Sequence, residues 1–197
     1  MSFDPQDHYF KLAKKEWYVA RSAYKLQEID QKFGFFDKKH TKSVIDIWCA
    51  PWSRIQYIQR QVPSATILWF DLKSCDVPSP TTYTYQQDIE EQDAVKAILQ
   101  SHKVQRVDVI VSDMAPNTMW HKNTDAIRSI TLIESTLWMY ETLLSENWKF
   151  AIKVFMGSGF EELYRELRDQ YGWPKRVKLF KPKSCRKESK ETYIIRV

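Results

Sequence analysis

The stretch that most constrains the fold is residues 44–56, which read VIDIWCAPWSRIQ. Its first residues predict a buried strand, Pro51 predicts a tight turn, and the residues from about Ser53 onward predict a helix. A strand, turn and helix in this order place the amides of a helix N-terminus beside the carboxyl edge of a sheet, where nucleotide-like ligands bind. The stretch therefore predicts an α/β fold with a ligand-binding turn.

This turn lacks the residue type that it normally needs. Glycine is usual there because the backbone must approach the ligand closely and adopt a positive φ, yet Trp48 and Trp52 occupy the expected positions. The whole chain has 4 Gly and 8 Trp. Average usage predicts roughly 14 glycines in a chain of this length. The scarcity of glycine is thus a property of the entire sequence.

Short apolar runs alternate with helical patterns along the rest of the chain. Predicted strands occupy residues 43–47, 66–70, 83–85, 107–112, 150–155, 176–180 and 192–197, and predicted helices occupy 22–33, 54–62, 93–100, 125–144 and 160–170. Continuous apolar strands are typical of sheets that are covered on both faces. The alternation predicts a doubly wound, mostly parallel, seven-stranded sheet with helices on both faces. Because no helix separates the last two strands, we expect an antiparallel C-terminal edge.

A chain of 197 residues is most simply one domain, and we expect a basic N-terminal arm at 1–20 followed by a single domain at 21–197. No apolar run reaches the roughly 20 residues that cross a bilayer, and the N-terminus lacks the apolar core of a signal peptide. The three cysteines, Cys49, Cys75 and Cys185, are scattered and form no metal-binding pattern. We therefore expect a cytoplasmic monomer without a metal or a membrane partner.

Positive charge is concentrated at the two ends of the chain, which has a net charge of +5. Residues 175–190 contain eight basic residues and one acid, Glu188, and the N-terminal segment adds Lys11, Lys14 and Lys15. A solvated surface could have this composition. Two basic ends that flank a neutral to acidic middle favour a face that binds a polyanion such as RNA.

Acidic residues follow three consecutive predicted strands. Asp71 ends the second strand, Asp88 follows the third, and Asp113 follows the fourth. Such residues often cap the next helix. At the carboxyl edge of an open α/β sheet, however, an acid after the second strand typically accepts hydrogen bonds from ribose hydroxyls.

Lys153 lies in the fifth predicted strand, among Phe150, Ile152 and Val154. It could extend to solvent at a sheet edge. In a buried central strand, desolvation would instead lower its pKa, and a lysine with a lowered pKa can act as a base.

Five motifs, in order along the chain, resemble those of the FtsJ/RrmJ (RlmE) family of RNA ribose 2′-O-methyltransferases. Residues 21–26 (RSAYKL) resemble its RSRAAYKL motif, and residues 46–56 resemble its DLGAAPGGWSQ turn. The SDMAPN motif at 112–117 is the same as the family's, and AIKVFMGSG at 151–159 resembles VKVFQGEG. PKSCRKESKETYI at 182–194 resembles the family's C-terminal motif. The similarity runs from about residue 16 to the C-terminus and implies a Rossmann-like methyltransferase fold.

The resemblance implies a catalytic set of Lys25, Asp113, Lys153 and Glu191. Glu191 is chosen over Glu188 because it directly precedes the TYI of the last motif. Lys153 would take the proton from a ribose 2′-hydroxyl, and Lys25 and Glu191 would orient the substrate and tune Lys153.

The implied cofactor is S-adenosylmethionine, with its methionine part at the turn, its ribose at Asp71, its adenine near Asp88 and its sulfonium near Asp113. The implied cofactor-binding residues are Trp48, Ala50, Pro51, Trp52, Ser53, Arg54, Asp71, Leu72, Asp88, Ile89 and Asp113. The residues expected to bind RNA are Arg21, Lys25, Lys181, Lys183, Arg186 and Lys187.

The substrate implied by the resemblance is a uridine of large-subunit (23S) ribosomal RNA, alone or within the large subunit. A tRNA 2′-O-methyltransferase of the same family shares these motifs and stays open. A catalytically silent RNA-binding or ribosome-assembly protein is a further alternative, because Trp48 and Trp52 could block the cofactor pocket. A nicotinamide-dependent oxidoreductase is disfavoured because the chain has no GxGxxG motif.

Several tryptophans stand where the family has glycine, namely Trp17, Trp48, Trp52, Trp69, Trp120 and Trp148, whereas Arg54 stands where the turn has its own tryptophan. Genuine tryptophans should crowd the methionine site and weaken cofactor binding. Alternatively, these positions are glycine in the natural polypeptide. Some bacterial lineages read the codon UGA as glycine, and a common alternative code reads it as tryptophan.

Overall fold

The computed structural model describes residues 8–48, 51–74, 77, 79–119, 121–172 and 176–197. The strands are β1 (Ser43–Ile47), β2 (Thr66–Asp71), β3 (Thr82–Gln86), β4 (Val107–Ser112), β5 (Leu144–Phe155), β6 (Val177–Phe180) and β7 (Glu191–Arg196). The helices are α1 (His8–Lys15), α2 (Ala23–Phe33), α3 (Ser53–Gln61), α4 (Gln92–Ser101), α5 (Lys122–Glu134), α6 (Leu137–Thr142) and α7 (Phe160–Tyr171).

The strands in the described part of the chain form one seven-stranded sheet in the order β3-β2-β1-β4-β5-β7-β6. The strands β1 to β5 pair in parallel, while β7 runs antiparallel to both β5 and β6. The direction of the chain along the sheet reverses between β1 and β4, which is where ligands bind in folds of this kind. The predicted fold class is confirmed.

Alternate residues of the strands point into two separate cores. Ile45 and Phe150 pack on one face of the sheet in a cluster with residues of α4, α5, α6 and α7. Val44 and Ala151 pack on the other face in a cluster with residues of α1, α2 and α3. Since successive side chains of a strand point to opposite faces, strands buried on both faces need continuous apolar runs, as in the sequence.

One predicted helix is wrong, because residues 125–144 do not form a single helix. The structure has α5 and α6 instead, separated at Ser135 and Thr136. The hydroxyl of Ser135 donates to the carbonyl of Leu132 at 3.0 Å, and that of Thr136 donates to the carbonyl of Ile133 at 2.8 Å. Side chains that bond nearby carbonyls compete with continued helix formation. The hydrophobic period continues through the break, so it could not reveal the end of α5.

The N-terminal segment contains α1, which packs against the body of the protein. Ala13 is buried, and Tyr18, just after the helix, is buried against Tyr24 of α2. The helix α2 ends at Gly34, whose φ of 59° is left-handed and whose N–H donates to the carbonyl of Asp30 at 2.7 Å. This cap ends the helix that carries Lys25 and turns the chain toward β1.

No helix in the described ranges is long and apolar enough to cross a membrane. Within the same ranges, no group of three or more His, Cys, Asp or Glu side chains is arranged to hold a metal ion.

Candidate active site

A cavity of about 460 Å³, here called the first cavity, lies beyond the carboxyl ends of β1, β2, β3 and β4. Five of the predicted cofactor-binding residues line it: Trp48, Asp71, Leu72, Asp88 and Ile89. Parallel strands bring these residues together because the ends of neighbouring strands meet at one edge of the sheet.

The remaining predicted cofactor-binding residues lie elsewhere or outside the described residues. Ala50 belongs to the latter group. Ser53 is the first residue of α3 and Pro51 precedes the helix by two residues, and neither lines the first cavity. The hydroxyl of Ser53 lies 2.6 Å from that of Ser22. Trp52 packs against the cluster of Ile55, Trp69 and Val77, so Trp48 is the tryptophan of the turn that lines the first cavity.

Arg54 joins the turn to two carboxylates, one fully buried and one partly buried. Its Nη2 donates to Asp46 Oδ1 at 2.8 Å and to the carbonyl of Trp48 at 2.7 Å. Its Nη1 lies 2.9 Å from Asp113 Oδ2. Asp46 is fully buried in the middle of β1. A buried charge needs a partner of opposite sign, and the guanidinium supplies one to both acids.

Asp113 and Lys153 meet at the ends of β4 and β5. The Lys153 Nζ lies 3.1 Å from Asp113 Oδ1 and also donates to the backbone carbonyl of Asp113. The hydroxyl of Tyr193 donates to the same Oδ1 at 2.8 Å. The Asp113 carboxylate therefore has three partners, Arg54, Lys153 and Tyr193, which fix its orientation.

Lys25 and Glu191 complete the set of four residues. The Lys25 Nζ lies 2.7 Å from Glu191 Oε2. Burial raises the pKa of Glu191 and is the largest single effect, but the charge and hydrogen bond of Lys25, together with Lys153 and Cys185, outweigh it and lower the pKa. The four residues come from α2, the end of β4, β5 and β7, and only the fold brings them together.

The Lys153 amine has an unusual pKa for a lysine. Burial is the largest cause, and together with the nearby cations Lys25 and Arg54 it outweighs the attraction of Glu191, so that the pKa of Lys153 falls to about 7. The carboxylate of Asp113 would favour the charged amine, but its own charge is shared with Arg54. An amine with this pKa is substantially neutral at physiological pH and can accept a proton.

The chain is similar to known methyltransferases along nearly its full length. A profile of the family described as FtsJ-like methyltransferase matches residues 18–197. The chain belongs to this family. Ribosomal RNA large subunit methyltransferase E from Pelagibacter ubique is 41% identical over 192 residues, which cover 96% of this chain and 90% of that protein. The protein of the same name from Syntrophobacter fumaroxidans is 36% identical over 197 residues, which cover 99% of this chain and 96% of that protein.

A solved structure supports the same assignment. A ribosomal RNA methyltransferase from Plasmodium falciparum superposes with a TM-score of 0.75 and is 27% identical. The match covers 91% of this chain and 97% of that chain. The order of elements described above is thus shared between this FtsJ-like methyltransferase and a solved ribosomal RNA methyltransferase.

A basic segment of this methyltransferase, residues 181–190, lies beside the four-residue set and is here called the basic loop. Of the residues expected to bind RNA, Lys183, Arg186 and Lys187 are exposed in it. Lys181 is tied into the loop itself, because its Nζ donates to the carbonyl of Ser189 at 2.6 Å. The basic loop, which directly precedes Glu191 in the chain, therefore exposes several cations.

Contacts from α2 and its preceding turn hold the basic loop in place. Glu28 Oε1 accepts the backbone N–H of Ser184 at 2.8 Å, and Oε2 accepts that of Lys183. Arg21, another residue expected to bind RNA, donates through Nη2 to the carbonyl of Ser184. Arg21 thus has a structural contact that holds the basic loop.

Three residues that contact this site are not among the predicted site residues: Asp46, Tyr193 and Glu28. Asp46 is an acid within the apolar run VIDI, and Tyr193 directly follows the Glu191-Thr192 pair. Both signals are visible in the sequence. For Glu28 there is no local signal, because its partners are backbone groups more than 150 positions away.

Proposed function

We propose that this chain transfers a methyl group from S-adenosylmethionine to a ribose 2′-hydroxyl of large-subunit ribosomal RNA, with a uridine as the target. The observation that carries the proposal is the buried Lys153 amine, whose pKa of about 7 suits a base at neutral pH. Its strand, β5, lies in the sheet between β4, whose end borders the first cavity, and β7, which directly follows the basic loop. The printed names of the relatives, large-subunit ribosomal RNA methyltransferases, support the class of substrate.

The first cavity suits the proposed methyl donor. Its volume of about 460 Å³ is within the usual range for small-molecule sites. Asp71, buried at the end of β2, offers carboxylate oxygens for the ribose hydroxyls, and Asp88 and Ile89 lie on the side proposed for adenine. S-adenosylmethionine supplies a methyl group bound to a cationic sulfur, and Asp113 provides a negative charge on that side of the site.

The residues of the chain then have distinct roles. The neutral amine of Lys153 would accept the proton of the 2′-hydroxyl as the ribose oxygen bonds to the methyl carbon. The bond between that carbon and the sulfonium sulfur would break in the same step, with S-adenosylhomocysteine as the leaving group. Asp113, held by Arg54 and Tyr193, fixes the position of the Lys153 Nζ. Burial, assisted by the charge of Lys25, keeps the amine of Lys153 neutral, and the ion pair of Lys25 with Glu191 orients the ribose. Cations of the basic loop neutralise RNA phosphates.

Replacement of Lys153 by alanine tests the proposal. The variant is incubated with labelled S-adenosylmethionine and with either unmodified large-subunit RNA, assembled large subunits or tRNA. We expect loss of at least a hundredfold in methyl transfer, because general-base catalysis typically contributes 10²–10⁴-fold, while the affinity for RNA is retained. Lys149→Ala is the matched control, since Lys149 is on the same strand but contacts the carbonyl of Gly34. Mapping of 2′-O-methyl groups then identifies the nucleotide.

Three other outcomes would contradict the proposal. Methylation of tRNA alone would identify the tRNA enzyme of the family. RNA binding by a parent chain that methylates none of the three substrates would identify a catalytically silent RNA-binding protein. An active Lys153→Ala variant would remove Lys153 as the base.

A further inference from the structure

A second cavity, of about 400 Å³, lies beyond the ends of β5 and β7. Its walls come from three parts of the chain. Thr118 and Asp125 belong to the segment after β4, and Phe155 is the last residue of β5. The basic loop contributes the other wall, with Arg186, Glu188, Ser189 and Lys190.

We infer that the second cavity binds the base of the target nucleotide and prefers a base that presents a ring N–H beside a carbonyl, as uracil and guanine do. This inference rests on the proposed function. It assigns a role to a cavity that the transfer chemistry at Lys153 does not itself use.

The second cavity lies close to the proposed catalytic lysine. Lys153 and Phe155 point to the same face of β5, about 7 Å apart along the strand, and Phe155 is paired with Glu191. The order of the strands places Asp113 and Lys153 between the first cavity, at the ends of β1 to β4, and the second cavity, at the ends of β5 and β7. In a nucleotide the base is attached next to the 2′-carbon, so a ribose at Lys153 places its base within reach of Phe155.

The aromatic ring of Phe155, in the wall of the second cavity, can stack on a base. This residue is partly exposed, while its backbone N–H donates to the hydroxyl of Ser129 at 3.2 Å and so anchors the end of β5. Aromatic side chains commonly stack on RNA bases that have left their own stack. A held phenylalanine at the cavity wall is suited to that contact.

The second cavity is also lined by two polar side chains that can bond a base, Asp125 and Ser189. Asp125 Oδ1 accepts the N–H of Met119 at 2.9 Å, which fixes the carboxylate at the first turn of α5. The hydroxyl oxygen of Ser189 accepts the N–H of Glu191 at 3.2 Å, so its own O–H can donate. A carboxylate and a hydroxyl donor that line one cavity can accept a ring N–H and donate to a carbonyl of the same base. Adenine and cytosine lack this ring N–H.

The charges at the rim agree with a nucleotide as the occupant. Arg186 and Lys190 lie on the side of the basic loop and can contact the phosphates that flank the target. The carboxylates of Asp125 and Glu188 would repel a phosphate, so the phosphates belong at the rim and the uncharged base belongs inside. This division separates groups that position the RNA from groups that select the base.

Photo-crosslinking tests the location of the base without depending on catalysis. The probe is large-subunit RNA in which 4-thiouridine partly replaces uridine, bound to Lys153→Ala protein with and without S-adenosylhomocysteine. We expect mass spectrometry to find a crosslink in the peptide that contains Phe155 or in the basic loop. Phe155→Leu should reduce this crosslink more than fivefold. Crosslinks confined to other surfaces would overturn the inference even if the methyltransferase is active.

Methyl transfer to RNA with a replaced target nucleotide tests the choice of base. For Phe155→Leu we expect KM for RNA to rise about tenfold or more, the range implied by the loss of one stacking contact, with little change in kcat. For Asp125→Asn we expect the preference for uracil over cytosine to fall about tenfold or more. Asp93→Asn, in the first turn of α4, is the matched control. Unchanged base preference in folded Asp125→Asn protein would refute the selection, whereas an inactive parent chain would refute the proposed function.

Discussion

Lys25 and Glu191 form an ion pair, with Nζ and Oε2 2.7 Å apart, although 166 positions separate them in the chain. The pair lies close enough to Lys153 for both charges to affect its pKa. Lys25 lowers that pKa and Glu191 raises it. The two residues therefore adjust the proposed base in opposite directions.

The first prediction concerns the pH dependence of the parent chain. The pKa of Lys153 is lowered to about 7, and only the neutral amine can accept a proton. Below that pKa the neutral fraction falls about tenfold for each unit of pH, so kcat/KM should fall with it and should level off above the pKa. Single-turnover methyl transfer between pH 5.5 and 9 measures the profile. A rate that is flat from pH 6 to 8 would show that deprotonation of Lys153 does not control the reaction.

The second prediction concerns the two members of the ion pair. Lys25→Met removes a cation and leaves Glu191 to attract a proton to Lys153, so its pKa should rise and the pH profile should move to higher pH. Glu191→Gln removes the attracting anion, so the profile should move to lower pH. At pH 7 we expect Lys25→Met to lower kcat/KM by about tenfold or more. Shifts of the same sign in both variants would contradict this electrostatic account.

Much of the architecture could be predicted because it depends on local patterns. Continuous apolar runs such as VIDI and VDVIV predict the strands, because burial on both faces requires such runs. Lys153 and Asp113 stood out because a charged residue within or directly after such a run needs a special environment. Both are in the observed four-residue set.

The remaining features depend on contacts between distant elements. Arg54 was expected at the cofactor, and the structure pairs its guanidinium with Asp46 and Asp113 instead of placing it in the first cavity. No periodicity or spacing identifies which carboxylates a buried arginine meets. The break between α5 and α6 at Thr136 likewise depends on a hydroxyl that donates to a carbonyl of the preceding turn. The spacing of apolar residues in the sequence gives no sign of that hydrogen bond.

The third prediction concerns the attachment of the basic loop to α2. Glu28 accepts two backbone N–H groups, those of Lys183 and Ser184. Bonds to a charged acceptor contribute about 1.5–3 kcal/mol each. Glu28→Gln keeps the shape but leaves one amide facing an NH₂ group, so the loop should exchange its amide hydrogens faster and bind RNA several-fold more weakly.

Hydrogen exchange of residues 181–190 and fluorescence anisotropy with RNA measure the two effects. Glu134→Gln, at the exposed end of α5, serves as the control and should change neither quantity. Unaltered exchange in Glu28→Gln would show that the loop is held by other contacts, such as that of Arg21 with Ser184.

The last prediction concerns the tryptophans at positions where the family has glycine. Among the described residues, three that are not glycine have a positive φ: Trp17 and Trp48, both at 62°, and Lys103 at 57°. A bulky side chain in this conformation costs roughly 1–2 kcal/mol, and glycine avoids that cost. Trp17 is moreover 83% exposed, so little packing offsets the strain. The backbone thus favours glycine at these two sites.

Trp69 differs from this pair and provides the contrast. It is buried in β2, packs against Ile55 and Val77, and its backbone lies in a regular strand. The position of Trp120 lies outside the described residues, and Trp148 stacks on Phe150. We therefore expect glycine to be accepted at Trp17 and Trp48, whereas Trp69→Gly in this chain should lose about 3–5 kcal/mol of unfolding free energy through a core cavity.

The decisive variant is Trp48→Gly, because Trp48 both has the strained backbone and lines the first cavity. Removing the indole should widen the side of the first cavity proposed for methionine and should tighten S-adenosylmethionine binding, measured by calorimetry, by about tenfold or more. Trp17→Gly should leave this affinity unchanged while raising the melting temperature. Peptide masses of the protein from its source then show which residue is natural at each position. Tight binding by the parent chain together with UGG codons at these positions would establish that the tryptophans are genuine and compatible with the cofactor.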